Sequence, residues 1–349
     1  MPLQDRFGRP VTDLRMSVTD RCNYHCVYCR TAARAGLSPA PQPEHAEDAA
    51  FEAGAGVTHR AGCGAPAELP VADCLHIARL FVSLGIRKIR LTGGEPLLRR
   101  ELLEIVSGLA KLRTLDGEAV DLAITTNGHL LGKLARPLAE AGLRRVTISL
   151  DAIEPEAFAR LTRMERGFSE VVDGIRQAAR AGLSPVKLNC VLLRGFNDDQ
   201  IVPLGKFARD EGVVVRFIEF MPLDEGRAWS PRVVIKLDEI LERMAAFMPL
   251  RELAPQPAQP QPENGGTARR YTFSDGRGEI GIIAPFSHVP NSWRRRGLRV
   301  RTASYIHLIS VSDLSEEMTQ EIRTMSQEHG GHANASFAVC EPRRKNGRT

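Results

Sequence analysis

The sequence predicts an α/β fold: a partial (β/α)6 barrel of TIM type, followed by a smaller C-terminal α+β module. Over the first 220 residues, six short apolar or β-branched runs alternate with five longer stretches, most of them amphipathic. A strand followed by a helix, repeated in this way, indicates parallel strands joined by crossover helices. Chemically unusual residues follow most of these strands directly, as they do in a barrel whose active site lies on its C-terminal face.

The elements of this barrel follow one another in a regular order. The predicted strands cover residues 14–18, 86–91, 119–125, 145–150, 186–193 and 213–220. The predicted helices cover residues 71–84, 101–112, 130–141, 169–181 and 198–211. Gly142, Gly182 and Gly212 follow the last three helices, where glycine commonly ends a helix in the left-handed conformation.

The composition divides the chain into three parts. Residues 1–228 form the predicted barrel domain, in which residues 31–70, rich in Ala, Gly and Pro, are a loop insertion. Residues 229–326 form the C-terminal module, with a flexible Pro- and Gln-rich segment at 254–266, and residues 327–349 form a tail. Within the module we expect a hairpin of 271–273 with 279–283, and a helix at 313–327.

Charge and hydropathy limit the class of protein. The 349 residues are 43% hydrophobic and 26% charged, which is typical of a folded protein. No run reaches the roughly 18 apolar residues of a membrane helix, and the N-terminus lacks a secretory signal, so we expect a cytoplasmic protein. The net charge of +5 suits an anionic small molecule, whereas dispersed basic residues and 5% aromatic residues do not indicate nucleic-acid binding.

Three of the seven cysteines lie within eight residues, directly after the first strand: Cys22, Cys26 and Cys29. This uneven spacing points to a metal centre and not to a disulfide framework. A structural zinc site would need a fourth ligand, for which His25, Cys63 and Cys74 are candidates. An iron–sulfur cluster is usually held by four thiolates, so three thiolates would leave one iron open to bind something else.

The stretch LRMSVTDRCNYHCVYCR at 14–30 resembles the cluster loop of the radical S-adenosylmethionine (SAM) enzymes. Five further stretches resemble the GTP 3′,8-cyclases that open molybdenum cofactor biosynthesis. They are IRKIRLTGGEPLLRREL at 86–102, ITTNGHLL at 124–131, VTISLDA at 146–152, VKLNCVLLRGFNDDQI at 186–201 and VRFIEFMPLDE at 215–225. The resemblance implies a partial barrel of the radical SAM kind and conversion of GTP to (8S)-3′,8-cyclo-7,8-dihydroguanosine 5′-triphosphate, a lyase reaction.

The same resemblance implies the site residues. A [4Fe–4S] cluster would be held by the catalytic residues Cys22, Cys26 and Cys29. SAM would be bound by Tyr28, Gly93, Gly94, Glu95, Ser149 and Met221. GTP would be bound by Arg15, Lys88, Arg90, Thr125, Lys187, Arg216, Arg299 and Arg301. In the implied mechanism an electron from the cluster cleaves SAM, and the resulting 5′-deoxyadenosyl radical removes the 3′ hydrogen of GTP.

The resemblance also implies partners. The substrate is GTP, the product passes to a separate pyranopterin monophosphate synthase, and an electron donor protein reduces the cluster. We expect no nucleic-acid and no membrane partner, and a homodimer is one candidate oligomeric state.

The C-terminal region departs from the family. Its members carry a second three-cysteine cluster that binds guanine, whereas the corresponding stretch at 280–310 contains no cysteine. The family's Gly-Gly end is replaced here by a longer tail. Three explanations stay open: a variant with one cluster, a paralogue with another substrate or without cyclase activity, and a reading-frame error.

Two alternatives to the cyclase also stay open. A radical SAM enzyme acting on a peptide or another substrate would share the cysteine loop and the Gly93–Pro96 turn, but would not need the basic residues of the strands. A non-catalytic nucleotide-binding or zinc-stabilised protein would retain the fold without SAM cleavage.

Overall fold

The protein's structure, a computed structural model, describes residue 3 and residues 10–29, 68–221, 231–253, 268–284 and 305–308. Several sequence predictions fall outside these residues. They concern most of the 31–70 insertion, the 254–266 segment, the 313–327 helix, the 327–349 tail, and Cys63, Cys340, Arg299 and Arg301.

In the described part of the chain, helices and strands alternate as the sequence predicts. The strands are β1 (Asp13–Ser17), β2 (Lys88–Thr92), β3 (Asp121–Thr126), β4 (Arg145–Ser149), β5 (Val186–Leu192), β6 (Val214–Glu219), β7 (Leu250–Glu252), β8 (Arg269–Phe273), β9 (Glu279–Ile283) and β10 (Tyr305–Leu308). The helices are α1 (Val71–Ser83), α2 (Leu102–Ala110), α3 (Leu131–Glu140), α4 (Pro155–Thr162), α5 (Phe168–Arg180), α6 (Ile201–Glu211) and α7 (Leu237–Phe247).

The strands form one open sheet in the order β10-β1-β2-β3-β4-β5-β6-β9-β8-β7. All neighbours from β10 to β9 are parallel, and β9, β8 and β7 are joined by antiparallel pairing. The predicted partial barrel of six parallel strands is therefore confirmed. Its two edges are extended by C-terminal strands, because β9 pairs with β6 and β10 pairs with β1.

The two faces of the sheet differ in polarity. Alternate residues such as Leu14, Ile89, Ile148, Leu188 and Phe217 are fully buried and belong to the hydrophobic core. The residues between them face the opposite side, since successive side chains of a strand point to opposite faces. Most of those between β1 and β6 are polar or charged and half-buried. A parallel sheet with charge on its inner face indicates a site for a polar ligand.

The structure confirms some predictions about single elements and adds two helices. Gly142, Gly182 and Gly212 have φ values of 108°, 80° and 68°, as predicted for residues that end helices. The predicted hairpin of residues 271–273 with 279–283 is confirmed by the pairing of β8 with β9. Helices α4 and α7 were not predicted. Helix α4 has only eight residues, and α7 lies in the C-terminal module, beyond the strand–helix repeat of the first 220 residues. None of the described helices has both the length and the apolar character needed to cross a membrane.

Candidate active site

The cysteine loop lies at the carboxyl end of β1 and is held from two sides. On one side, the backbone N–H groups of Gly94 and Glu95 donate to the carbonyl oxygens of Thr19 and Arg21, both at 2.7 Å. On the other, His25 donates through its backbone to the Thr162 carbonyl at the end of α4, at 3.1 Å. The loop is thereby fixed against the turn that follows β2.

Gly93 and Gly94 pack directly on the cysteine loop. A Cβ atom at Gly93 would lie 2.4 Å from the Thr19 carbonyl oxygen, and one at Gly94 would lie 2.2 Å from that of Arg21. Contacts this short are not tolerated, so both positions require glycine for packing alone. The predicted role of these glycines, close approach of the backbone to SAM, stays a prediction beside this observed one.

The three cysteines of the loop are each partly exposed. Burial raises the pKa of the Cys22 thiol, although the Tyr24 backbone N–H donates to its Sγ at 3.4 Å. Burial also raises the pKa of Cys26 well above its ordinary value, and the charges of Asp151, Cys29 and Cys22 add to the effect. Among the described residues, no three such side chains are gathered closely enough to form a metal site as they stand. Charged thiolates on one loop repel one another, and a bound cation would relieve this repulsion. By the chemistry of its donors, the set therefore fits a shared metal centre.

Cys74 and Cys190 lie away from this loop. Cys74 is buried in α1, with its Sγ 3.8 Å from the Leu69 carbonyl oxygen. Cys190 is buried in β5, with its Sγ 3.7 Å from the Asp151 carbonyl oxygen. Both thiols face backbone carbonyls, an arrangement typical of cysteines in a core. The observed place of Cys74 thus gives no support to its candidacy as a zinc ligand.

Glu95 ties β2 to β3 from a buried position, with 1% of its surface exposed. Its Oε1 accepts from the Leu97 backbone at 3.0 Å and from the Thr126 hydroxyl at 2.6 Å, and its Oε2 accepts from the Asn127 backbone at 2.6 Å. Asn127 in turn donates from Nδ2 to Asn23 of the cysteine loop at 2.8 Å. The observed contacts of Glu95 are internal, and its predicted contact with SAM stays a prediction.

Tyr28, a predicted SAM contact, donates its hydroxyl to Oδ2 of Asp151. Burial raises the pKa of Asp151 to about 6, although the Tyr28 hydroxyl and the Val191 backbone N–H both donate to it. Asn197 fixes the backbone around Asp151, because its Nδ2 donates to the carbonyl oxygens of Asp151 and Val191, both at 2.9 Å. The sequence prediction omitted Asp151 from the site, although its place directly after β4 was a usable signal.

A cluster of cations lies on the inner face of the sheet. Strand registers pair Arg15 with Arg90, Lys187 with Thr147, and Arg216 with Asn189. Nη1 of Arg90 donates to the hydroxyl of Thr125 at 3.4 Å and to that of Thr147 at 3.1 Å, and Nη2 of Arg216 reaches the same Thr147 hydroxyl at 3.4 Å. Four of the predicted GTP-binding cations, Arg15, Arg90, Lys187 and Arg216, thus converge with Thr125.

These cations depress one another's basicity. The pKa of Arg90 and that of Arg216 are each lowered to about 10, first by burial and then by the positive charges of Arg15 and Arg145. Burial lowers the pKa of Lys187 to about 8, and repulsion by Arg216 and Arg145 outweighs the attraction of Glu279. A group of half-buried, mutually repelling cations is stabilised by an anionic ligand. The inner face is therefore suited to a polyphosphate.

The other predicted ligand-binding residues in the described part of the chain are Lys88, Ser149 and Met221. Lys88 pairs in register with Asp13 and Asp121, one row nearer the amino ends of the strands than Arg90. Ser149 ends β4 and pairs with Asn189, and Met221 lies just beyond the end of β6. Arg145, which sequence reasoning missed, joins the cluster and forms an ion pair with Asp121. Its place in the predicted strand at 145–150 was the available signal.

Comparison with known proteins identifies the family. Residues 16–208 match the model of the Radical SAM superfamily, and residues 213–289 match that of Molybdenum Cofactor Synthesis C. The chain is 41% identical over 283 residues to the GTP 3′,8-cyclase of Acidothermus cellulolyticus, an alignment that covers 81% of this chain and 70% of that one. The chain belongs to the GTP 3′,8-cyclase family of radical SAM enzymes.

Other relatives of this cyclase family member are equally similar. It is 42% identical over 291 residues to the GTP 3′,8-cyclase of Corynebacterium glutamicum strain R, covering 82% and 69% of the two chains. It is 38% identical to that of Xanthomonas axonopodis pv. citri, covering 82% and 76%. Among solved structures, Streptococcus suis SuiB bound to precursor peptide SuiA matches with a TM-score of 0.49 and 15% identity over 68% of this chain and 46% of that one. As a radical SAM protein, the cyclase uses an iron–sulfur cluster and SAM.

Proposed function

We propose that this chain converts GTP to (8S)-3′,8-cyclo-7,8-dihydroguanosine 5′-triphosphate in molybdenum cofactor biosynthesis. The family to which it belongs supports the reaction, since relatives named GTP 3′,8-cyclase are 38–42% identical over most of the chain. The observation that supports GTP as the substrate is the cluster of the cations Arg15, Arg90, Lys187 and Arg216 on the inner face of the sheet. Charge-assisted hydrogen bonds to ionised oxygens are roughly twice as strong as neutral ones, so such a cluster recognises a triphosphate.

The cofactors fit the residues at the carboxyl ends of the strands. Cys22, Cys26 and Cys29 would hold one [4Fe–4S] cluster, whose open iron is the place for SAM. When bound, these cofactors supply an electron and the radical that abstracts hydrogen from the substrate. The chain's own part is to position them: the 93–95 turn and α4 fix the cysteine loop, and Asp151 fixes Tyr28.

The basic cluster acts on the substrate by orientation. Each of its four cations comes from a different strand, so that a bound triphosphate is held from several directions: Arg15 from β1, Arg90 from β2, Lys187 from β5 and Arg216 from β6. Holding reactants in the reactive geometry removes much of the entropic part of a barrier. The cysteine loop follows the carboxyl end of β1, and the cluster lies on the inner face of the same sheet. The ribose of a bound GTP would therefore lie between the cluster and the cysteine loop.

GTP consumption tests this function directly. We expect the reduced, reconstituted protein to cleave SAM and to convert GTP to the cyclised triphosphate, as seen by mass spectrometry under anaerobic conditions. SAM cleavage without any binding of GTP would favour a radical SAM enzyme for a peptide or another substrate. Absence of SAM cleavage in a protein with a complete cluster would favour a non-catalytic nucleotide-binding protein.

The iron content provides a second prediction. We expect about four iron atoms per chain after reconstitution and not about eight, because one cubane cluster needs only the three cysteines of the loop. The 280–310 stretch offers no cysteine, and Cys74 and Cys190 face backbone carbonyls. Iron and sulfide assays on the wild type and on Cys63→Ala and Cys340→Ala variants measure this. About eight irons, with half lost in Cys340→Ala, would show a second cluster.

GTP affinity is expected to fall with rising pH through the titration of Lys187. In the free protein the pKa of Lys187 is about 8. Burial and the charges of Arg216, Arg145 and Arg90 lower this pKa, and the charge of Glu279 raises it. A triphosphate favours the charged lysine and raises its pKa, so binding takes up a proton once the pH exceeds about 8. The affinity for GTP is greatest below pH 8 and falls by up to about tenfold per pH unit above it.

Isothermal titration between pH 7.5 and 9.5, in buffers of different ionisation enthalpy, measures both the affinity and the proton uptake. Lys187→Arg is the matched control, because an arginine at this position stays charged and should remove most of the pH dependence. A wild-type affinity that does not change over this range would show that Lys187 does not meet the triphosphate.

The partners of the reaction follow from its chemistry. The product is a cyclised nucleoside triphosphate, which a pyranopterin monophosphate synthase would consume, and a donor protein would supply electrons to the cluster. The substrate GTP is the partner that the basic cluster supports.

A further inference from the structure

Thr147 lies at the centre of the basic cluster, although nothing in the sequence pattern distinguishes it. It is in β4, with 3% of its surface exposed, and its Oγ1 accepts from Nη1 of Arg90 at 3.1 Å and from Nη2 of Arg216 at 3.4 Å. Arg90 is in β2 and Arg216 is in β6, two strands away on either side. One hydroxyl therefore joins two cations across five strands.

The chemistry of a hydroxyl limits what Thr147 can do next. A threonine hydroxyl has two acceptor lone pairs and one proton to donate. The two guanidinium groups use both lone pairs, and donation from cations strengthens the hydroxyl as a donor. Among the residues that the structure describes, no oxygen accepts the Thr147 proton. An acceptor that enters between two arginines will be an anion.

An unpaired donor beside Thr147 points to the same ligand. Nε of Arg216 is buried without a hydrogen-bond partner in the described part of the chain. The Arg216 side chain packs against Gly281 of β9, where a Cβ would lie 2.9 Å from its Cγ. Buried N–H groups are nearly always paired, so this donor indicates a site that an anionic acceptor completes.

We propose that Thr147 is a substrate contact that selects for the triphosphate. It holds Arg90 and Arg216 at a fixed separation and donates its hydroxyl proton to a phosphate oxygen between them. The inference rests on the proposed function, since it takes GTP as the ligand of the basic cluster. Thr147 thus adds a neutral hydroxyl to the cluster. By accepting from both arginines it keeps the two cations together, although their charges repel one another.

Titration of GTP and of guanosine against the full-length chain, with Thr147→Val and Thr147→Ser, tests this proposal. Valine keeps the shape of threonine and removes the hydroxyl, whereas serine keeps the hydroxyl. For Thr147→Val we expect GTP affinity to fall at least about tenfold, with guanosine and SAM affinities unchanged. Thr147→Ser should stay within about threefold of the wild type for all three ligands. Thr272→Val removes another buried hydroxyl, in β8, and is the matched control.

The outcomes separate this proposal from the proposed function. If the wild type binds GTP and Thr147→Val binds it equally well, the role of Thr147 is overturned and the function stands. Equal losses of GTP and guanosine affinity would show a structural role and overturn it as well. A wild type that binds guanosine as tightly as GTP would overturn both. Should the valine variant not fold, Thr147→Ala compared with Thr147→Ser gives the same comparison.

Discussion

Replacement of Cys22, Cys26 or Cys29 by alanine is expected to abolish SAM cleavage. The proposed cluster would have three protein ligands, all on the loop that Gly94, Glu95 and α4 hold at the end of β1. Loss of one thiolate would leave an iron without its protein ligand. The two other described thiols, Cys74 and Cys190, are buried and contact backbone carbonyls. Without an intact cluster, the electron that cleaves SAM would not be supplied.

The measurement is 5′-deoxyadenosine formation after anaerobic reconstitution, together with iron content and the visible absorption of the cluster. Cys74→Ala is the matched control: it removes a buried thiol of similar size, in α1, and should keep both cluster and cleavage. Full cleavage by any of the three loop variants would remove that cysteine from the ligand set. Loss of bound metal in Cys74→Ala would instead support the alternative of a four-ligand zinc site that includes Cys74.

The barrel could be predicted because its signals are local. Each strand of the first 220 residues shows in its own apolar run, and Gly142, Gly182 and Gly212 mark the helix ends through their positive φ. The alternation of charged and apolar residues in β2, such as Arg90 between Ile89 and Leu91, already places the arginine on the inner face.

The internal supports of the site could not be predicted in the same way, because they depend on register between distant strands. Thr147 is an ordinary β-branched residue of a strand, and only the pairing of β2 to β6 places it between two arginines. Gly281 shows as a small residue in a short strand, and its importance appears only when β9 pairs with β6. Asp151 was visible as a residue after a strand, but its partner Tyr28 lies 123 positions away.

Arg90→Ala is expected to weaken GTP binding by about 1.5–3 kcal/mol, which is roughly 10- to 150-fold in Kd. Arg90 donates to both Thr125 and Thr147 and is half-buried, so a phosphate contact there is less screened by solvent than one at the surface. SAM binding should be nearly unchanged, because the predicted SAM residues lie at the strand ends and the cysteine loop. Arg216→Ala and Lys187→Ala should act in the same direction.

Titrations of GTP, guanosine and SAM on the same protein preparation decide whether the effect is electrostatic. Arg87→Ala is the matched control, since Arg87 precedes β2 by one residue and forms an exposed ion pair with Asp116. An exposed ion pair contributes little to the stability of the fold. The Arg87→Ala variant should therefore bind GTP as the wild type does. Arg90→Lys keeps the charge but lacks the planar fork that reaches two hydroxyls, and we expect it to recover only part of the affinity. If guanosine binding falls as far as GTP binding in Arg90→Ala, the arginine supports the fold of the pocket and does not meet the phosphates.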